Sequence, residues 1–280
     1  MIPPILKNLL RIKKFDISVS ILLFITLVGI IGPFVYTVDP TALHAPPEVP
    51  PNNKYPLGTD SYGRDLLAQL LHGIRSSLYI GLTASLISLA IGVTIGAVAG
   101  FKGGITDDSL MLVTNVVYAL PSIMLMMLIA AYLKERNPLF VALIIGLTSW
   151  PWVARAVRSQ LMSLKSRDFL AISRMAALSD LRIMFEDLIP NMASYIFMAF
   201  VLLMSGAMIA EAGLSMIGLG VTRGVSLGII LYWAQLLESV RRGLWWWFIP
   251  PGACLVSLAT SMLLLSTSLD EYFSPRLRGR

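Results

Sequence analysis

Charge is scarce in this sequence and cysteine is nearly absent. Asp, Glu, Lys and Arg together make up 14% of the 280 residues, whereas a soluble domain carries about a quarter. The single cysteine, Cys254, excludes a disulfide framework within the chain and any multi-cysteine metal site. The two histidines, His44 and His72, have no third ligand at a metal-binding spacing, so both are expected at the surface and no metal site is assigned. No G-x-x-x-x-G-K-[ST] segment occurs, so the chain lacks that phosphate-cradling loop. No catalytic constellation is visible either, which sets aside a membrane-bound enzyme.

What is present is apolar. The composition is 56% hydrophobic and the mean hydropathy is +0.75. Six charge-free runs stand out: Ile17–Val38, Ser76–Phe101, Ser109–Leu133, Leu139–Ala154, Leu188–Ala210 and Leu244–Leu269. A helix rises about 1.5 Å per residue, so about twenty residues cross a hydrocarbon core of roughly 30 Å. The pattern predicts an all-α polytopic membrane protein with six transmembrane helices in one domain, residues 1–280. Leu139–Ala154 is short and must borrow flanking residues. Val225–Leu237 is charge-free but too short to span, and is expected to be part of a loop. Ile17–Val38 exceeds the about 7–15 apolar residues of a signal peptide, which favours a retained helix.

The basic residues orient the bundle. Lys7, Arg11, Lys13, Lys14, Lys102, Arg155, Arg158, Lys165, Arg167, Arg174, Arg182, Arg276, Arg278 and Arg280 fall on the side of both termini. Eight fall on the other: Lys54, Arg64, Arg75, Lys134, Arg136, Arg223, Arg241 and Arg242. Both termini are therefore expected in the cytoplasm, with residues 1–16 as a cytoplasmic tail. Cations gathered at membrane ends account for the net charge of +6 without nucleic acid.

No Asp, Glu, Lys, Arg or His lies inside any of the six runs, and ion-driven transporters usually need one. Uphill movement would then draw its energy from another chain. An autonomous secondary transporter or channel is the rival reading, since sodium sites can be built from carbonyls and hydroxyls. In the second run Ala84, Ser88, Gly92, Gly96 and Gly100 recur every fourth residue as a small-residue stripe. Such a stripe admits a close helix, within this chain or in a partner subunit. Pro121, Pro151, Pro190, Pro250 and Pro251 predict kinks or helix starts.

Residues 39–75 and 211–243 form the outer segments. The first is proline-rich to Tyr55 and expected to be extended rather than packed. Leu66, Leu67, Leu70, Leu71 and Ile74 then line one face of an expected interfacial helix. Trp245, Trp246 and Trp247 suit an interfacial belt. On the inner side, residues 155–187 carry apolar and charged residues together. Phe169, Ile172 and Met175 accompany Arg174 on one expected short helix, and Ser179 can cap another starting at Asp180. That pairing suits a docking surface for a soluble partner.

FLAISRMAALSDLRIMFEDLIPN (169–191) resembles the cytoplasmic EAA loop of permease subunits in ABC importers. LGTDSYGRD (57–65), AGFKGGITD (99–107), EAGLSMIGLGV (211–221), WWWFIPPG (245–252) and SPRLR (274–278) extend the resemblance to the C-type subunit of dipeptide/oligopeptide permeases. The resemblance implies a type I importer architecture in the cell's inner membrane, with a homologous B-type permease and two ATP-binding cassette subunits as partners. It also implies an extracellular or periplasmic substrate-binding protein. ATP and Mg would be held by the partner ATPases, and this chain would carry no cofactor. The coupling positions implied are Phe169, Ala171, Ile172, Ser173, Arg174, Met175, Ala177, Ser179, Asp180 and Arg182. Ala171–Ile172–Ser173 stands where the family has Glu-Ala-Ala, and Ala177 where it has Gly, so the docking helix carries over but its polar contacts do not. Related C-type subunits serve peptides, nickel or oligosaccharides, and an aromatic cluster of Tyr232, Trp233 and Trp245–Trp247 keeps sugars open.

Overall fold

Backbone N–H and C=O groups in lipid must pair within their own segment, so each apolar run becomes a helix. The computed structural model describes residues 12–43, 45–165 and 179–273. Four helices cross without interruption: α1 (Lys13–Val35), α2 (Leu66–Lys102), α7 (Ala193–Met216) and α9 (Trp245–Phe273). Two further crossings are bent pairs. Helices α3 (Gly104–Ala119) and α4 (Ser122–Tyr132) meet at 80°, and α5 (Pro138–Thr148) and α6 (Pro151–Lys165) at 46°. The bends sit at Pro121 and Pro151, which supply no N–H to the preceding turn. With each pair taken as one crossing the chain has six candidate spans. Among the described residues there is no β-strand, only a single bridge between Thr59 and Asp65.

Helix α2 is the hub, packing against α6, α7, α5 and α1, while α9 closes the bundle against α7 and α1. Small residues let backbones meet. A Cβ on Gly29 of α1 would lie 2.3 Å from the Ile74 side chain of α2. Dispersion gathered at such short range takes the place of the hydrophobic drive that is missing between helices in lipid.

Several boundaries differ from the sequence reading. The expected interfacial helix is the first part of α2 itself, started by Asp65, whose Oδ1 accepts the Ala68 N–H at 2.9 Å. Leu66, Leu71 and Ile74 face protein rather than a membrane surface. The proline-rich stretch is packed, not free. The Val49 N–H donates to Thr59 Oγ1 at 2.9 Å, the Glu48 N–H to Asp60 O at 3.0 Å, and both Thr59 and Asp60 are fully buried. Val225–Leu237 is no loop: Leu227–Leu236 forms helix α8, capped by Ser226, whose Oγ accepts the Ile229 N–H. Cutting the apolar runs at their first charge caused the remaining differences. Helix α6 continues past Arg155 to Lys165, so the segment assigned to 155–187 begins as helix, and α7 continues past Ala210 to Met216. That extension puts Glu211, fully buried, inside a spanning helix that was expected to contain no charge. Of the tryptophan belt, Trp245 is half-exposed but Trp247 is fully buried.

Candidate translocation cavity

Both helix breaks open onto one space. A cavity of about 510 Å³ is lined by Leu120, Pro121 and Ser122 at the α3–α4 bend and by Ser149 and Pro151 at the α5–α6 bend, with Gly206 of α7 opposite. A broken helix leaves carbonyls and N–H groups without intrahelical partners at each end. Non-helical backbone is tolerated at membrane depth only where it is buried in protein or lines a water-filled space. The lining side chains are apolar or hydroxylic. The Thr148 hydroxyl is already committed, donating to Ile144 O at 2.8 Å. Gly206 contributes no wall, since a Cβ there would meet nothing within 4 Å. At the rim, the Arg155 guanidinium lies 4.8 Å from the centroid of the Tyr118 ring. The cavity therefore offers backbone dipoles and hydroxyls with no fixed charge of its own, a lining suited to a polar chain read by its backbone.

The small-residue stripe lies on the other face of the same machinery. Ala84, Ser88, Gly92, Gly96 and Gly100 are all buried. A Cβ on Gly92 would lie 2.7 Å from the Val153 side chain, on Gly96 2.4 Å from Ala154 O, and on Gly100 3.0 Å from Arg158 O. The stripe is thus filled by α6 of this same chain, with the Ser88 hydroxyl donating to Gly146 O on α5 at 2.7 Å.

Beyond the stripe, Arg158 grips Asp107 with two bonds of 2.5 Å, Nε to Oδ1 and Nη2 to Oδ2. This fork ties the start of α3 to α6, and Lys165 Nζ donates to Phe101 O at the end of α2. In sequence Arg158 is only one of the basic residues flanking the span; the fold gives it Asp107 as a partner 51 residues away. Phe169, Ala171, Ile172, Ser173, Arg174, Met175 and Ala177 lie outside the described residues. Ser179 stands at the N-cap position before Asp180 but makes no side-chain cap bond, and Arg182 pairs with Glu186 at 2.8 Å on the surface. Residues Ile183–Leu188 wind as a π-helix that leads into α7. The hydrogen bond to Glu186, and then its negative charge, favour the protonated form, so the Arg182 pKa lies above its ordinary value.

Two buried polar centres escaped the sequence reading. Glu211 accepts hydroxyl bonds from Ser226, Ser215 and Ser77, at 2.6, 2.8 and 3.4 Å. Arg136, expected on an outer loop, is buried instead, and its guanidinium donates to the carbonyl oxygens of Ala130, Leu133, Gly218 and Gly220. Their signal was weak in the sequence: Glu211 is followed by Gly213 and Ser215, but Arg136 stands in a polar Lys134–Asn137 stretch that reads as an ordinary loop. Among the described residues no group of three His, Cys, Asp or Glu is placed to hold a metal ion.

Bent helix pairs around a charge-poor cavity define a multi-pass transport permease. Residues 92–279 match the family described as binding-protein-dependent transport system inner membrane component, and the chain belongs to that family. It is similar to the oligopeptide transport system permease protein OppC of Mycobacterium tuberculosis, 31% identical over 271 residues that cover 96% of this chain and 92% of that protein. The dipeptide transport system permease protein DppC of Bacillus subtilis is 31% identical over 275 residues, covering 96% of this chain and 84% of that protein. DppC of Haemophilus influenzae is 28% identical over 270 residues, 94% and 90% of the two chains. The resemblance read from the motifs therefore holds: this is an inner-membrane permease of the dipeptide/oligopeptide ABC family.

Proposed function

We propose that this chain is one of two permease subunits of an ATP-driven, binding-protein-dependent importer, and that its cargo is peptides. The observation that carries the reading is the convergence of both helix breaks on one charge-free cavity. A peptide varies in its side chains but not in its amides, and broken-helix backbone groups can pair with those amides irrespective of sequence. The named cargo of the relatives agrees. A homologous B-type permease supplies the other half of the pathway, and a substrate-binding protein delivers cargo to residues 39–65 and 217–244.

Energy enters from two ATPase subunits. The weight of basic residues supports a cytoplasmic location for both termini and for the 155–187 segment, which begins within α6 and leads toward α7. Phe169, Ala171, Ile172, Ser173, Arg174, Met175, Ala177, Ser179, Asp180 and Arg182 form the docking face in this reading. Closure of the ATPases pushes on that face, and α6 carries the push through the Gly92–Gly100 contact into α2. ATP and Mg stay in the partners, and this chain performs no catalysis. The aromatic cluster behind the oligosaccharide alternative is divided: Trp247 is fully buried, Trp245 and Trp246 pack edge-on at 6.0 Å, and Trp233 packs edge-on with Tyr232 at 5.3 Å, so no continuous sugar-stacking platform forms from the five. The nickel alternative lacks a carboxylate or imidazole in the cavity lining.

Purification of the assembly from its native membrane tests the proposal. A homologous permease and one or two ATPases with Walker-A loops are expected to accompany the chain and support ATP-dependent peptide uptake in vesicles. Phe169→Asp, and charge reversal at Arg174 (Arg174→Glu), are expected to leave ATP hydrolysis running without transport. A stable, active assembly lacking any ATPase overturns the reading.

A further inference from the structure

Arg64 follows Gly63, whose φ of 79° turns the chain sharply before α2 begins. Its Nε donates to Asp60 Oδ2 at 2.6 Å. Asp60 also accepts the N–H groups of Tyr62 and Arg64 and the side-chain amide of Gln69, so its acceptor capacity is well used. The guanidinium carbon lies 5.0 Å from the Tyr62 ring centroid and 5.8 Å from that of Trp233, which hold the fork in place. Its Nη2 is buried and has no hydrogen-bond partner. An orphaned, charged donor is expensive, and a well-placed acceptor would relieve it.

The same arginine lines a second cavity of about 410 Å³, distinct from the one at the helix breaks. Thr41 stands at its exposed edge, Gly218 and Gly220 form one wall, and Ile229 and Trp233 form an apolar one. Behind the glycine wall sits Arg136, whose side chain pairs only with carbonyl oxygens, Gly218 O and Gly220 O among them. Among the described residues no carboxylate forms an ion pair with it. Asp60 thus neutralises one guanidinium, while Asp39 stands as a second carboxylate at the open edge, accepting the Thr41 N–H at 2.8 Å and its hydroxyl at 2.7 Å. The draw on an anion therefore lies at the orphaned Arg64 donor rather than in a net charge of the cavity.

We propose that this outer cavity binds the terminal carboxylate of a peptide, with Arg64 Nη2 as the donor that pairs with it. The proposal rests on the peptide reading above. A guanidinium fork matches a carboxylate in shape and charge, and Ile229 and Trp233 accept the terminal side chain. The two cavities share scaffolding. Helix α4 starts at Ser122 in the inner cavity, and Arg136 fastens its far end through Ala130 O and Leu133 O. Its 11 residues cover about 16 Å, a distance that an extended peptide of about five residues spans. A peptide held here by its carboxylate is positioned to reach the helix breaks with its other end.

The test uses solubilised native membranes carrying the complete assembly and a photoreactive peptide, trialanyl-benzoylphenylalanine with a free carboxylate. Cross-links mapped by mass spectrometry are expected at residues 218–233. Trialanine should compete about tenfold better than trialanine amide, which cannot offer the charge-assisted bond. Thr41→Glu places a tethered carboxylate in the cavity and should abolish labelling, whereas Thr41→Gln should retain it. Arg64→Gln should lower labelling about tenfold, and because Thr41→Glu leaves the Asp60–Arg64 pair intact, it decides the matter if Arg64→Gln fails to assemble. Equal competition by the amide, labelling that survives Thr41→Glu, or labelling elsewhere only would each overturn the site. ATP-driven uptake of trialanine, measured in parallel, separates the two readings. Uptake without labelling removes the carboxylate site alone; failure to take up any peptide removes the cargo assignment and the site with it.

Discussion

The hydroxyl of Ser226 donates to Glu211 at 2.6 Å while its oxygen accepts the N–H of Ile229, so one side chain both starts helix α8 and fastens it to α7. Ser77 extends the connection to α2, donating to the same carboxyl and accepting the Leu227 N–H at 3.1 Å. Helix α8 sits so close to α7 that a Cβ on Gly228 would lie 2.8 Å from the Ala212 Cα. Three helices meet on one buried side chain.

Removing that acceptor strands three hydroxyls in a dry site. Glu211→Ala is expected to destabilise the protein by about 2–4 kcal/mol, and Ser226→Ala by about 1 kcal/mol through loss of the cap. Glu211→Gln keeps an acceptor oxygen and should fall nearest the wild type. Thermal unfolding of the purified assembly reads the order, and equal stability of Glu211→Ala and wild type would show that α8 is held by packing alone.

Glycines on α2 and α7 should respond in opposite ways. Gly96→Ala drives a methyl to within 2.4 Å of a backbone oxygen, Ala154 O, so α2 and α6 must separate at a cost of about 1–3 kcal/mol. Gly206→Ala meets nothing and should leave the melting temperature unchanged. Because Gly206 lines the inner cavity, its larger variant Gly206→Phe is expected to slow peptide uptake while the assembly still forms. Uptake assays set beside melting curves distinguish the two positions.

The Asp107–Arg158 fork joins α3 to α6 at the end leading to the docking segment. Asp107→Asn or Arg158→Leu should each weaken coupling, seen as ATP hydrolysis that persists while uptake drops several-fold, together with about 1–3 kcal/mol of lost stability. The exchanged pair Asp107→Arg with Arg158→Asp should recover part of both. No recovery would mean that geometry, not charge, governs the contact.

Acid should loosen the outer loops before the bundle. Hydrogen bonding from Ser61 and the charge of Arg242 hold Glu48 below its ordinary carboxylate range despite some desolvation. A depressed folded-state pKa stabilises above the unfolded value and is lost as pH falls through the folded one. Glu48→Gln should therefore cost about 0.5 kcal/mol at neutral pH, since the pair is partly exposed, and nothing at pH values below both. Limited proteolysis of residues 39–65 across that range checks the sign.

Period and length made the spans legible, because apolar runs of about twenty residues have few alternatives in lipid. Pro121 and Pro151 also marked the breaks correctly. What local pattern could not supply was convergence: nothing near Pro121 in sequence says that Pro151 and Gly206 share its cavity. The same limit hid Glu211 and Arg136. A charge ends an apolar run in one dimension, yet three serines or four carbonyls brought from elsewhere can bury it in three. The small-residue stripe left two partners open, and only the fold shows α6 filling it.

Helix α2 runs 37 residues with no proline, about 55 Å from end to end. One end carries the outer loops and α8, while the other is clasped by α6. A rod of that length turns angle into distance: each degree of tilt at one face becomes about 1 Å of travel at the other. The broken helices beside it can flex and absorb such motion, but α2 can only pass it on, like the needle of a gauge.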